Sequence, residues 1–239
     1  MDQTPLEIIY QDQELVAINK PSGLLVHRSP IDKHETRFAV QELRNQLGQH
    51  VYPLHRLDKP TSGVLVFALS SSAASFYGEQ FREHSIQKTY VALVRGYGPT
   101  KLSIDHGLVD EMDDPKGEKK KGEAKTALTH VSCLEQFNIP LNVDRYPSTR
   151  LSLMRCVPVT GRKHQIRRHL KHIGHPIVGD SRHGKGNLNR ACEAYLGAGR
   201  LWLACTQMQL THANGQAIVI NADLASDFKS VLARLQEEA

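Results

Sequence analysis

The stretch HRLDKPTSG, at residues 55–63, is the starting point for working out the fold, and the apolar run VLVFAL follows it at 64–69. The apolar run predicts a buried strand. Just before it, Asp58 stands in a short polar loop between Pro53 and Pro60. Loops carried on rigid strands often hold reactive side chains, and an ionised carboxylate can act as a base or a nucleophile. Taken alone, however, Asp58 is better explained as a turn or helix-cap residue.

Short apolar segments on both sides of this loop predict strands intermixed with helices. The expected strands cover 6–10, 14–20, 64–69, 86–96, 126–134, 150–157, 200–205 and 217–222, and the expected helices cover about 36–47, 70–84, 161–173 and 223–237. Thr160 is expected to cap the third helix, and Gly174 to end it. Because these elements do not follow a regular strand–helix–strand rhythm, we predict an α+β fold.

The segment 113–125, DDPKGEKKKGEAK, is charged and contains almost no apolar side chain. A segment of this composition buries little apolar surface, so it predicts a surface loop rather than a domain boundary. With no other linker or repeat in the sequence, we expect one domain over residues 1–239.

Positive charge is concentrated in one part of the chain. The formal net charge is +5. Between Arg162 and Arg190 the only acidic residue is Asp180, and the basic residues are Lys163, Arg167, Arg168, Lys171, Arg182 and Lys185. A basic stripe of this kind favours a nucleic-acid partner over an ordinary solvated helix face, which usually includes acidic residues.

The histidines and cysteines do not form recognisable metal or disulfide patterns. His164, His169, His172 and His175 form no HExxH motif and lie among cationic side chains, which disfavours a metal ion. The four cysteines are far apart and include no CxxC pair, so reduced thiols are expected. The N-terminus has no secretory signal and no apolar run approaches the ~20 residues of a membrane span, so we expect a cytoplasmic protein.

Four blocks of sequence resemble one known family in the same order. HRLDKPTSG is similar to the HRLDxxTSG loop of the RluA-type pseudouridine synthases. The other blocks are NKPSGLLVH at 19–27, KTYVALVRG at 88–96 and TGRKHQIRRHLKHIGHPIVGD at 160–180. The resemblance spans about residues 6–220. It implies the pseudouridine synthase catalytic fold, with a central mixed, mostly antiparallel sheet flanked by helices and loops, and no additional N-terminal RNA-binding domain.

The resemblance also implies catalytic roles. Asp58 corresponds to the aspartate that attacks the target uridine, at either uracil C6 or ribose C1′, and the sequence leaves both routes open. Tyr90 corresponds to the tyrosine that stacks on the uracil and takes the C5 proton. Arg167 corresponds to the arginine paired with that aspartate. The target base has to leave its stack before this chemistry begins.

The remaining candidate residues are assigned to RNA binding: His55, Arg56, Arg162, Lys163, Arg168, Lys171 and Arg182. Arg56 corresponds to a family residue that holds the flipped nucleotide. No cofactor and no metal are expected, and we expect a monomer.

Two further segments indicate the substrate. RYPSTR at 145–150 and GDSRHGKGNLNR at 179–190 resemble the branch of the family that modifies uridine 65 of tRNA. A relative that modifies ribosomal RNA and a non-catalytic RNA-binding module remain alternatives. The chain departs from the family at LAC, 203–205, where LHA is usual, and at HANG, 212–215, where an HP turn is usual.

Overall fold

A computed structural model describes residues 4–28, 34–109 and 122–238. The chain divides into two compact units, Met1–Tyr90 with Leu203–Val231 and Val91–Trp202 with Leu232–Ala239. The single domain expected over 1–239 stays a prediction. Within the described residues, no helix is both long enough and apolar enough to span a membrane.

The first unit is a mixed sheet with helices. Its strands are β1 (Ile8–Gln11), β2 (Leu15–Lys20), β3 (Tyr52–Pro53), β4 (Ser62–Ala68), the start of β5 (Gln87–Arg95), β11 (Leu203–Thr211) and β12 (Ala217–Asn221), and its helices are α1 (Ala39–Leu47) and α2 (Ser71–Arg82). The order is β1-β2-β4-β11, with β3 on β4 and β12 on β11. β4 and β11 are parallel, while β1–β2, β2–β4, β3–β4 and β11–β12 are antiparallel.

Strand β4 is the central apolar element of this unit. All seven of its residues are buried, as the continuous run at 64–69 predicts. Its parallel pairing joins Gly63 to Cys205 of β11. Gly63 has a φ of +105°, and a Cβ there would lie 2.0 Å from the Cys205 carbonyl oxygen. A side chain at position 63 would therefore force the two strands apart, which explains the glycine that closes HRLDKPTSG.

The second unit contains the end of β5 and the strands β6 (Lys101–Asp105), β7 (Leu108–Val109), β8 (Ala124–Lys125), β9 (Leu128–Ile139) and β10 (Thr149–Pro158), with the helices α3 (Gln165–His172) and α4 (Gly186–Leu196). β10 pairs with β9, and β9 with β6, all antiparallel. β7 and β8 form a separate antiparallel pair. The last helix, α5 (Ser226–Glu237), contributes residues to both units.

The predicted α+β class with a mixed, mostly antiparallel sheet is confirmed, but several elements differ from expectation. Strands β3, β6 and β7 were not predicted, and β11 continues to Thr211, beyond the strand expected at 200–205. Helix α3 starts at Gln165, later than predicted. Helix α4 occupies part of a segment for which no helix was predicted. Residues 113–121 of the predicted charged loop lie outside the described residues, and Ala124–Lys125 near its end form β8.

Candidate active site and RNA-binding residues

Asp58 lies in a tight turn between β3 and β4. The Thr61 N–H donates to the Asp58 carbonyl oxygen at 3.0 Å, and Ser62 then starts β4. The Leu54 N–H bonds the Val66 carbonyl oxygen at 3.1 Å, which extends the pairing of β3 with β4 toward the turn. The Asp58 residue is half-buried. Asp58 therefore lies in a turn that leads directly into β4, a strand whose residues are all buried.

A buried lysine joins this turn to the NKPSG segment. Lys20 has no exposed surface. Its ammonium donates to the carbonyl oxygens of Pro21, Leu24 and Lys59 at 2.9, 2.8 and 3.1 Å. The three carbonyl dipoles compensate the buried charge. Because the carbonyl groups belong to both the NKPSG segment and the Asp58 turn, the lysine connects these two motifs. Sequence reasoning missed this residue, although a lysine inside the NKPSG motif was visible.

His55 makes contacts that support the turn. Its Nε2 accepts a hydrogen bond from the Val66 N–H at 3.1 Å, and its ring stacks on Phe81 with centroids 5.1 Å apart. Burial and the nearby charge of Lys88 lower the pKa of His55 to about 3, so the ring is neutral. The predicted role of His55 in RNA binding stays a prediction. Arg56, beside it, is exposed.

Tyr90, on β5, is buried next to Cys205 on β11. The neighbouring pair, Thr206 and Thr89, is joined by a 3.3 Å hydrogen bond from the Thr206 hydroxyl to the Thr89 carbonyl oxygen. Burial, the Cys205 thiol with its hydrogen bond to Tyr90, and the charge of Asp58 together raise the pKa of Tyr90 well above its usual value. Tyr90 is therefore a neutral phenol at physiological pH, and it lies within electrostatic range of Asp58.

In the second unit, α3 is attached through buried polar side chains. The Gln165 amide donates to the Leu128 carbonyl oxygen and the Thr129 hydroxyl at 3.0 and 2.9 Å. The His169 ring nitrogens bond the Thr129 hydroxyl and the His106 carbonyl oxygen at 2.9 and 3.0 Å. These partners fix which side of α3 faces the sheet.

Arg167, which is also buried on α3, forms a bidentate ion pair with Asp180. Its Nε lies 2.7 Å from Asp180 Oδ2 and its NH2 atom 2.8 Å from Oδ1. Burial alone would raise the pKa of Asp180, but the bonds from Arg167 and from the backbone N–H groups of His183 and Arg182 lower it. Asp180 was not predicted as the partner of Arg167. The predicted pairing of Arg167 with Asp58 stays a prediction.

The other basic candidates lie nearer to the solvent. Lys163, Lys171 and Arg182 are exposed, and Arg162 and Arg168 are partly buried. Arg162 Nε donates to the Thr126 carbonyl oxygen at 3.1 Å, and Arg168 NH1 donates to the Val109 carbonyl oxygen at 3.0 Å. These two contacts fix the directions of the guanidinium groups, and both groups keep further N–H donors.

The start of α3 corrects one prediction. Thr160 does not cap the helix, because its hydroxyl bonds the Leu128 N–H and the Gln165 side chain. The N-cap is His164, with a φ of +53°, and its Nδ1 lies 3.0 Å from His183 Nε2. Gly174, with a φ of +83°, follows the helix end as predicted. Across the described part of the chain, no group of three or more His, Cys, Asp or Glu side chains could hold a metal ion.

Comparison with known proteins identifies the family. The sequence profile described as RNA pseudouridylate synthase matches residues 14–172. A Vibrio cholerae protein called tRNA pseudouridine synthase C is 48% identical over 230 residues, which cover 95% of this chain and 94% of that protein. The chain belongs to the RNA pseudouridylate synthase family. The predicted family and the predicted class of enzyme, an isomerase of RNA uridines, are confirmed.

Two further RNA pseudouridylate synthase relatives extend the comparison. A Pectobacterium carotovorum protein, also called tRNA pseudouridine synthase C, is 47% identical over 96% of this chain, but the chain spans only 62% of that protein. The solved structure called Human RNA Pseudouridylate Synthase Domain Containing 4 is 27% identical, with a TM-score of 0.73, and the match covers 96% of this chain and 93% of that one. The predicted pseudouridine synthase fold is thereby confirmed.

Proposed function

We propose that this protein converts uridine 65 of tRNA to pseudouridine. The observation that carries the proposal is its likeness to bacterial proteins called tRNA pseudouridine synthase C, which are 44–49% identical to it. The RYPSTR and GDSRHGKGNLNR segments support position 65. A cytoplasmic monomer is part of the same proposal.

Asp58 is the proposed nucleophile. Its carboxylate attacks uracil C6 or ribose C1′, the N1–C1′ bond breaks, and the base turns before C5 bonds to C1′. The bond between the Asp58 carboxylate and the nucleotide then breaks, the C5 proton is lost and N1 gains a proton. The carboxylate is thereby regenerated, so the product is an isomer of the substrate and no co-reactant is consumed. The half-buried position of Asp58 in a turn at the start of β4 supports this role, since a rigid strand fixes the direction of attack.

Tyr90 is proposed to stack on the uracil. Its raised pKa keeps the hydroxyl protonated. The neutral ring can therefore stack through its apolar face, whereas the protonated hydroxyl is a poor base. A protonated hydroxyl therefore favours stacking of Tyr90 on the uracil over removal of the C5 proton by Tyr90. Arg167 is proposed to keep Asp58 ionised.

RNA binding is proposed to use the exposed cations on and around α3, together with Arg56. Lys163, Lys171 and Arg182 point side chains to the surface, where phosphates can reach them. Folded RNA is recognised chiefly through its shape and its backbone, so these cations are proposed to contact the phosphates around one flipped base.

The proposal is tested by incubating the protein with an unmodified tRNA transcript and mapping pseudouridine along it. We expect one new pseudouridine, at position 65, and none there in a matched transcript with cytidine 65. Ribosomal RNA transcripts provide the competing substrate. Modification of ribosomal RNA with tRNA left unmodified would refute the tRNA assignment, and RNA binding without any pseudouridine would refute catalysis.

A further inference from the structure

Two segments of the second unit that are distant in the sequence lie side by side. The turn between β9 and β10 carries Asp144, and Asn187 lies in the first turn of α4. Asn187 Nδ2 donates to Asp144 Oδ1 at 3.1 Å, and Arg190 NH2 donates to Asn187 Oδ1 at 2.6 Å. The RYPSTR segment and the end of the GDSRHGKGNLNR segment therefore share one surface.

Guanidinium groups stack on exposed tyrosines in this surface. Arg145 lies over the Tyr146 ring at 5.2 Å, and Arg150 over the Tyr97 ring at 5.1 Å. Tyr97 and Tyr146 are 42% and 50% exposed. Stacking holds each guanidinium plane against a ring and leaves N–H edges for a further partner. The same rings can stack on unpaired bases.

The charge of this surface is positive and not neutralised by neighbouring carboxylates. Its cations, Arg145, Arg150, Lys185 and Arg190, are all exposed. In the described ranges, no carboxylate pairs with any of them. Asp144, the nearby acid, accepts the hydrogen bond from Asn187 instead. By contrast, Arg234, which also lies over a tyrosine ring, pairs with Glu238 at 3.2 Å.

We propose that these residues, Tyr97, Arg145, Tyr146, Arg150, Lys185 and Arg190, form a second RNA-binding surface, called here the hairpin–helix surface. It binds the phosphate backbone of the substrate. The cations, which make no carboxylate pair, can bind phosphates, and the exposed aromatic rings beside them can stack on bases, so the surface suits RNA. The inference rests on the proposed function and extends it, because the surface contains none of the residues assigned to catalysis.

Binding of the full-length protein to a tRNA transcript, measured over a series of salt concentrations, tests the proposal. The variants are Arg145→Ala with Arg150→Ala, and Lys185→Ala with Arg190→Ala. We expect roughly tenfold weaker binding for each pair, and a slope of log K against log salt that is smaller by about one to two units. Pseudouridine formation at saturating tRNA should stay near the wild-type rate, so KM rises while kcat does not change.

Arg234→Ala is the matched control, since it removes an Arg–Tyr stack whose charge is already neutralised, and its salt slope should equal that of the wild type. The two double variants test different segments, so if one does not fold the other still decides. If a folded double variant binds tRNA with unchanged affinity and an unchanged salt slope, the proposed hairpin–helix surface is wrong. The proposed function would still stand in that case, provided that the wild type forms pseudouridine. Inactivity of the wild type on every RNA would instead overturn the proposed function, while the salt slopes still report on the surface.

Discussion

The turn that contains Asp58 and the turn that contains Asp180 are held in different ways. The turn of Asp58 is stabilised by bonds to backbone carbonyl oxygens: the Thr61 N–H bonds the Asp58 carbonyl, and Lys20 bonds the Lys59 carbonyl. The turn of Asp180 is stabilised by bonds to the Asp180 carboxylate. It accepts two bonds from Arg167 and backbone bonds from Arg182 and His183.

The burial of the two residues follows this difference. Asp180 is 1% exposed, so its charge depends on its protein partners. Asp58 is half-buried and remains accessible from outside. A half-buried carboxylate can meet a substrate, whereas the enclosed Asp180 carboxylate holds Arg167 and the backbone of its own turn. The comparison therefore supports the proposed reactivity of Asp58 and indicates a structural role for Asp180.

The largest expected effect is on turnover by Asp58→Asn. An amide of the same size fits the turn but supplies no carboxylate nucleophile. We expect kcat to fall by at least ~10⁴-fold, equivalent to about 5.5 kcal/mol of transition-state stabilisation. Pseudouridine formed in a tRNA transcript measures the rate, and circular dichroism and tRNA binding should match the wild type. Activity within tenfold of the wild type would contradict the assignment of Asp58.

The next effect, on stability, belongs to Asp180. Asp180→Asn removes the carboxylate charge from a buried, bidentate ion pair with Arg167, so we expect a loss of about 3–5 kcal/mol in the free energy of unfolding. Urea unfolding at neutral pH measures it. Asp223→Asn is the control, because the Lys229–Asp223 pair is 55% and 82% exposed, so its loss should change the free energy of unfolding far less. Equal losses in the two variants would show that the buried pair has no special importance for stability.

Much of the first unit could be predicted from the sequence because its signals are local. The apolar run at 64–69 indicated β4, and Ser70 accepts a bond from the Ala73 N–H at the start of α2 as expected of an N-cap. The motif that contains Asp58 was readable because its turn and its strand are adjacent in the chain. Lys20 was missed because its three carbonyl partners come together only in the folded protein.

The second unit was harder to predict because its contacts join distant positions. The Arg167–Asp180 pair and the buried bonds of Gln165 depend on tertiary packing, which spacing does not show. A histidine with positive φ at an N-cap is also uncommon, so Thr160 was the expected cap. Helix α4 did have a signal, since Leu188, Cys192 and Leu196 recur every four residues and are buried. The polar, glycine-containing start of that segment obscured the pattern.

A smaller effect concerns acid stability and His55. Because the folded-state pKa of His55 is lowered to about 3, the unfolded chain binds a proton here below about pH 6.5 that the folded protein does not. Stability is therefore lost as the pH falls below about 6.5. Between pH 7 and 5 this one group accounts for up to about 2 kcal/mol.

His55→Gln keeps a hydrogen-bond acceptor for the Val66 N–H but cannot titrate. The loss of unfolding free energy between pH 7 and 5 should therefore be smaller in the variant by up to about 2 kcal/mol. Urea unfolding of both proteins at the two pH values measures this difference. The contributions of the other histidines are the same in both proteins, so they cancel. The same loss in both proteins would mean that His55 takes up its proton in the folded state.

The smallest expected effect concerns Cys205. It shows whether this cysteine, which bonds Tyr90, influences the reaction proposed for Asp58. Cys205→Ala removes a buried thiol and, with it, the hydrogen-bond partner of Tyr90. Cys156 is the matched control, because it is equally buried and burial alone raises its pKa to about 12. Either change should cost about 1 kcal/mol of unfolding free energy from lost packing. Only Cys205→Ala should also lower kcat, by several-fold, and Cys205→Ser should restore it, since a hydroxyl again gives Tyr90 a polar partner. If the two alanine variants turn over tRNA equally fast, Cys205 contributes packing alone and the reactive region around Asp58 does not include it.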